Sequence, residues 1–218
     1  RFGLGEECGV DLPGEAAGLV PSPEWKRRVR REPWYAGDTC QMAIGQGDCL
    51  VTPLQAAREL TVVANGGNLV RPRLIGRVEG EQNLLPPSSK RPVGLRPETL
   101  AALRAGLEAV VNRGGTAANI VTSRYSIAGK TGTAEAPDGA PHAWFAGYAP
   151  SDKPQVVVAV IVEHGGHASA VAAPIARHVF DRALLPEGER PRRPPKRVTI
   201  ASGQGPEGSL PASGGAER

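Results

Sequence analysis

Aromatic residues are scarce in this sequence, at 4% of 218 residues. The apolar content therefore rests on Ala, Val, Leu and Gly, and no dense basic face with interleaved aromatics can be assembled. The net charge of +4 is modest, and half of the excess lies in residues 186–218, where six basic groups stand against four acidic ones. Together these features exclude nucleic acid as a partner. Cysteine is limited to Cys8, Cys40 and Cys49, an odd number with no C-x-x-C; a Cys40–Cys49 disulfide is allowed but not required, so redox compartment stays open. The longest apolar run, Val156–Val162, is the length of a strand and far short of a membrane span. No signal peptide is visible, and the chain opens at Arg1 rather than a methionine, so an upstream segment is expected. Lysine is the rarest of the charged types: only Lys26, Lys90, Lys130, Lys153 and Lys196 occur, with arginine supplying the remaining positive charge. A lysine kept inside a motif of such a chain is informative, because a compact ammonium and a planar guanidinium are not interchangeable.

Along the chain, residues 1–40 read as irregular, punctuated by Gly3, Gly5, Gly9, Pro13, Gly14, Pro21 and Pro23. Thr52-Pro53-Leu54-Gln55 then predicts a helix start: Thr52 as N-cap, Pro53 in the first turn and Gln55 closing a capping box. The helix should end at Asn65-Gly66-Gly67. Leu69–Val78 alternates like a strand, demoted to an edge by Pro72, and Leu85–Pro92 reads as a Pro/Ser-rich loop. Pro97 opens a second helix with Leu100, Leu103, Leu107, Val110 and Val111 at helical spacing, ending at Gly114-Gly115. Three strands follow, about Tyr125–Glu135, Ala143–Ala149 and Gln155–Glu163. The short turn-rich loops between them predict an antiparallel meander. Val156–Val162 is apolar on both faces and should be covered on both, in part by a last helix about Ala168–Leu184. Residues 1–185 form one unit with enough apolar content for a core, and residues 186–218 read as a disordered Pro/Gly/Arg-rich tail.

The chemistry concentrates at Lys130-Thr131-Gly132-Thr133. A phosphate loop is excluded, because Arg124 stands where the first glycine is needed and Gly132 would disrupt the helix that must follow. The tetrapeptide instead suits a carboxylate- or amide-recognising groove. Lys130 supplies positive potential, the hydroxyls of Thr131 and Thr133 can bond a carboxylate, and Gly132 leaves room for a ligand backbone. A backbone N–H just beyond the glycine can stabilise an oxyanion. Taken alone, the tetrapeptide could also be a polar turn at a strand.

The K-T-G element resembles that of serine penicillin-binding proteins and β-lactamases. Its surroundings are similar to class B penicillin-binding proteins: Phe2-Gly3-Leu4-Gly5, Gly9 through Glu15, Pro33 through Thr39, Ala43-Ile44-Gly45-Gln46-Gly47, Thr52 through Gln55, Gly115-Thr116-Ala117, Ile127 through Ala134 and Ala143 through Pro150. The resemblance covers residues 1–185. It implies an α/β (α+β) transpeptidase fold, an antiparallel sheet between helices. It also implies a peptidoglycan transpeptidase acting through a serine acyl-enzyme, with a D-Ala-D-Ala stem peptide and β-lactams as ligands and a glycan polymerase as partner. No cofactor or metal is implied, and the location is the periplasmic face of the cytoplasmic membrane. Lys130, Thr131, Gly132 and Thr133 would bind substrate and complete the oxyanion hole. Two other readings stay open: a class D-type β-lactamase or β-lactam sensor domain, and a non-catalytic binding module.

The chain departs from that family in one respect. Serine precedes none of its five lysines by three positions; Pro23, Pro87, Ile127, Pro150 and Arg193 stand there. Nor does serine stand two before any asparagine, so Ser-x-x-Lys and Ser-x-Asn are both absent. The expectation is the C-terminal part of a transpeptidase domain, with no catalytic residue of its own and inactive alone. Among lesser features, Gly45-Gln46-Gly47 reads mainly as loop geometry, and Trp144 and Phe145 as packing under the Lys130 strand. His164-Gly165-Gly166-His167 reads as a turn rather than a metal site, and Trp25–Arg31 as a solvated basic face.

Overall fold

The computed structural model describes residues 1–75 and 89–191. Its elements are α1 (Pro23–Val29), α2 (Ala36–Ala43), α3 (Pro53–Ala64), β1 (Asn68–Val70), β2 (Lys90–Pro92), α4 (Pro97–Asn112), β3 (Ala128–Ala134), β4 (His142–Ala149), β5 (Val156–Val162) and α5 (Ala172–Leu184). The meander is present as a three-stranded antiparallel sheet of order β3-β4-β5, and β1 and β2 form a separate antiparallel pair.

The sheet lies between helices, α5 on one face and α3 with α4 on the other. Strand alternation divides the core accordingly. Ala143, Phe145 and Ala149 of β4, with Val158 of β5, face α5 and meet Ala172, Ala173, Ala176 and Phe180. Tyr148 of β4 and Ala128 of β3 face the other way, against Val63 and Ala64 of α3, with Leu100 and Leu107 of α4 around them. Val157 joins this second cluster while Val156, Val160 and Val162 join the first, so β5 is covered on both faces as its sequence requires. Gly129 and Gly147 stand opposite each other in the β3–β4 ladder. A Cβ at Gly129 would come within 2.6 Å of the Phe145 ring, so this glycine lets the ring lie against the strands.

The α3 start matches its sequence signals. Thr52 Oγ1 accepts from the Gln55 backbone N–H, and Gln55 Oε1 accepts from the Thr52 N–H, with Pro53 at the first helical position. Gln55 is fully buried, and its amide also donates to the carbonyls of Glu6 and Ala17, tying the N-terminal loops to the helix. Arg104 of α4 closes the other end of α3 by donating to the carbonyls of Val63 and Ala64.

Several local expectations need correction. Residues 1–40 are not wholly irregular: α1 starts on a Ser22 cap, and α2 carries a box in which Asp38 accepts from the Tyr35 N–H. The basic run around α1 is not a plain solvated face either. Lys26 is buried and donates to both oxygens of Asp38, with its ammonium over the Tyr35 ring. The Leu69–Val78 strand shortens to β1, residues 71–75 leave it, and residues 76–78 lie outside the described residues. Lys90–Pro92, read as loop, pairs with β1. Of the 186–218 tail, Glu187–Glu189 form a 3₁₀ turn and Arg124 pairs with Glu189, while residues 192–218 lie outside the described residues. The three cysteines are free thiols. No described helix is long and apolar enough to cross a membrane.

Candidate functional site

Lys130, Thr131, Gly132 and Thr133 occupy the middle of β3, which is the outer strand of its sheet among the described residues. Residues directly opposite in an antiparallel ladder share a face. Lys130 pairs with Ala146 and Gly132 with Trp144, whereas Thr131 pairs with Phe145 and Thr133 with Ala143. The ammonium therefore stands on the α3–α4 side of the sheet and the two hydroxyls on the α5 side. The four residues do not present one flat wall; they wrap an edge.

That edge also carries oriented backbone groups. Gln46 Nε2 donates to the Thr133 carbonyl at 3.1 Å, and Lys130 Nζ donates to the Thr131 carbonyl at 2.7 Å. Asn112 Nδ2 donates to the Ile127 carbonyl just before the strand. Three odd-numbered carbonyls thus accept from side chains. In an antiparallel strand the N–H and C=O of one residue point to the same side and successive residues alternate. The N–H groups of Thr131 and Thr133 accordingly point out from the sheet, and those of Lys130 and Gly132 point toward β4. The N–H just beyond the glycine is an outward donor, as an oxyanion contact requires.

Gly132 has a second reason to be glycine. A Cβ there would meet the Trp144 Cβ at 3.2 Å, tighter than ordinary packing. Trp144 is half-buried on the Lys130 face, while Phe145 is fully buried on the other, so only Phe145 belongs to the main core.

Two residues outside the motif reach it. Thr116, in the loop between α4 and β3, places its hydroxyl 2.6 Å from that of Thr131. Gln46 brings the Gly45-Gln46-Gly47 loop to the strand edge from 87 positions away. Both glycines of that loop have positive φ, 74° and 72°, a conformation that favours glycine and sharply bends the chain around Gln46. Neither contact was legible as such; the only signal was that both residues stand in short motifs, Gly115-Thr116-Ala117 and Gly45-Gln46-Gly47.

His164 lies at the turn after β5, where its Nδ1 is 3.0 Å from the Ala140 carbonyl and its ring meets His142 edge-on. No group of three or more metal-ligating side chains occurs among the described residues.

The chain is 38% identical over 212 residues to the peptidoglycan D,D-transpeptidase MrdA of Acinetobacter baumannii, covering 89% of this chain and 31% of that protein. It is similar to the crystal structure of Pseudomonas aeruginosa PBP2 in complex with WCK 5153, at 42% identity and a TM-score of 0.78, over 87% of this chain and 43% of that one. A structure of a peptidoglycan synthase complex that coordinates polymerization and crosslinking contains a similar chain at 40% identity and a TM-score of 0.71, over 81% of this chain and 30% of that one. The chain spans about a third of the length of the curated relatives it matches. The penicillin-binding protein transpeptidase domain matches residues 1–181, nearly the whole of the described structure, and the chain belongs to that family.

Proposed function

We propose that these residues form one wall of the active-site groove of a peptidoglycan D,D-transpeptidase, with the nucleophilic serine supplied by residues other than these 218. The observation that supports this best is the outward N–H of Thr133 on the same strand edge as Lys130 and the Thr131 hydroxyl. In the reaction the serine oxygen attacks the amide carbonyl between the two D-alanines of a stem peptide. The carbonyl oxygen gains negative charge; it accepts a hydrogen bond from the Thr133 N–H, and the Lys130 ammonium lowers its energy. The terminal D-alanine leaves as its amine, taking a proton, and an amine of a neighbouring peptide then displaces the serine from the ester. The substrate's terminal carboxylate is held by the hydroxyls of Thr131 and Thr133. A β-lactam enters by the same attack and stops at the ester. The site works at the periplasmic face of the cytoplasmic membrane beside a glycan polymerase, a placement supported by the relatives and by the synthase complex.

The test is acylation by a fluorescent penicillin of the protein carrying the complete domain. Lys130→Ala should slow acylation by roughly a hundredfold, the range for loss of a group that stabilises developing charge. An unchanged rate would remove the role given to Lys130.

A further inference from the structure

The Thr133 carbonyl points out of the sheet beside the Thr133 N–H, yet it is already engaged by Gln46. A peptide laid along the free edge of β3 needs both groups of an outward residue, since strand pairing uses an N–H and a C=O together. The donor of Thr133 is open to such a peptide, while its acceptor is shared with the Gln46 amide. Two donors on one carbonyl weaken each other, so a ligand that brings an N–H to this oxygen does so against Gln46. A ligand without that N–H leaves the Gln46 bond in place.

Gln46 also has somewhere to go. Behind it, between α1, α2 and its own loop, lies a cavity of about 140 Å³ lined by Trp34, Gln41, Met42 and Asp48 as well as by Gln46 itself. The cavity carries polar side chains able to receive a displaced amide. The loop that carries Gln46 is anchored on each side: the Gln46 N–H donates to the Gln41 carbonyl and Asp48 pairs with Arg30, so the side chain can move while its backbone stays.

We propose that Gln46 is a specificity-determining residue of the groove: it caps the Thr133 carbonyl and discriminates between ligands that donate a backbone-like N–H to that oxygen and ligands that do not. The inference rests on the groove reading above. It gives the Gly45-Gln46-Gly47 loop a task beyond its geometry, because the two glycines turn the chain so that the side chain between them meets the strand edge.

The experiment compares two β-lactams on the protein carrying the complete domain: a penicillin, which bears an acylamino N–H on its ring, and a carbapenem, which bears a hydroxyethyl group at the corresponding carbon. Acylation rate constants are measured for the wild type, Gln46→Leu and Gln46→Glu. Leucine keeps the length but cannot donate, and glutamate replaces the donor with an acceptor. Both variants should raise the penicillin-to-carbapenem rate ratio by roughly three- to tenfold, the worth of one hydrogen bond. A ratio that stays level or falls in both variants overturns the inference, including the case in which both ligands slow together because Gln46 only supports the loop. If neither ligand acylates the wild type, the groove reading itself fails, and this inference fails with it.

Discussion

Residues 1–52 and the β3–β5 sheet are built on different principles although they meet at one edge. In the sheet, Phe145, Tyr148, Ala149 and Ala143 are fully buried against α5 on one side and α3 on the other. In residues 1–52 only Gly3, Cys8, Pro21 and Lys26 are buried, while Leu12, Val20, Val29, Tyr35, Ile44 and Leu50 are exposed. What holds the first region is polar. Glu15 accepts from the N–H groups of Cys8 and Gly9, Asp11 from those of Leu74 and Ile75, and Asp38 from Lys26 and Tyr35. The sheet is held by apolar area that resists local opening, whereas the N-terminal region is held by individual clamps that can be released one at a time. The Gln46 loop belongs to the N-terminal region and the Lys130 strand to the sheet. The groove proposed above therefore joins an adjustable side to a rigid one.

Truncating the rigid side should cost most. Phe145→Ala removes a fully buried ring from between α5 and two facing glycines, and should destabilise the domain by about 3–5 kcal/mol in urea unfolding. A loss below about 1 kcal/mol would mean that the sheet is not the principal core.

Gln55→Ala breaks the joint between the two regions. It removes the capping box of α3 and leaves the carbonyls of Glu6 and Ala17 without their donor, for about 2–3 kcal/mol. Hydrogen exchange should show the change concentrated in residues 1–20. An even loss over the sheet would contradict the division.

How far the sequence already disclosed these regions follows the same line. The start and end of α3 were legible because each signal is local: Thr52, Pro53 and Gln55 within four positions, then Asn65-Gly66-Gly67. The meander was legible because Pro137–Pro141 and Pro150–Pro154 interrupt apolar alternation. The helices α1 and α2, at 7 and 8 residues, were hidden. Such lengths are too short to stand by propensity, and they depend on the long-range pair of Lys26 and Asp38. In the candidate site, the donor and acceptor groups that Lys130 through Thr133 carry were legible from residue types. Which outward groups they present was not, because strand alternation gives opposite faces but does not say which side of β3 is free. The Gln46 contact depends on tertiary approach and leaves no spacing signal.

The smallest effect expected is a local response to acid. The hydrogen bond from Lys26, and then that from the Tyr35 N–H, lower the Asp38 pKa. The N–H groups of Leu74 and Ile75 lower that of Asp11. At Glu15, burial pushes upward, but the N–H groups of Cys8 and Gly9 outweigh it and the net direction is down. A carboxylate depressed in the folded state stabilises above its unfolded pKa, and that contribution is lost as pH falls through the folded value. Below about pH 4, the ordinary carboxylate range, the amides of Cys8, Gly9 and Leu74 should lose exchange protection while those of Phe145 and Val158 keep it. Simultaneous loss in both sets would show one cooperative unit rather than two differently held regions.

The central claim is that the outward groups of β3 belong to Thr131 and Thr133 and that a ligand pairs with them. Residue-resolved hydrogen exchange on the complete domain, before and after acylation by a penicillin, tests it directly. The account predicts that acylation slows exchange at the Thr133 amide, while Lys130 and Gly132, already turned toward β4, stay as they were. Protection appearing at Gly132 with none at Thr133 would contradict it.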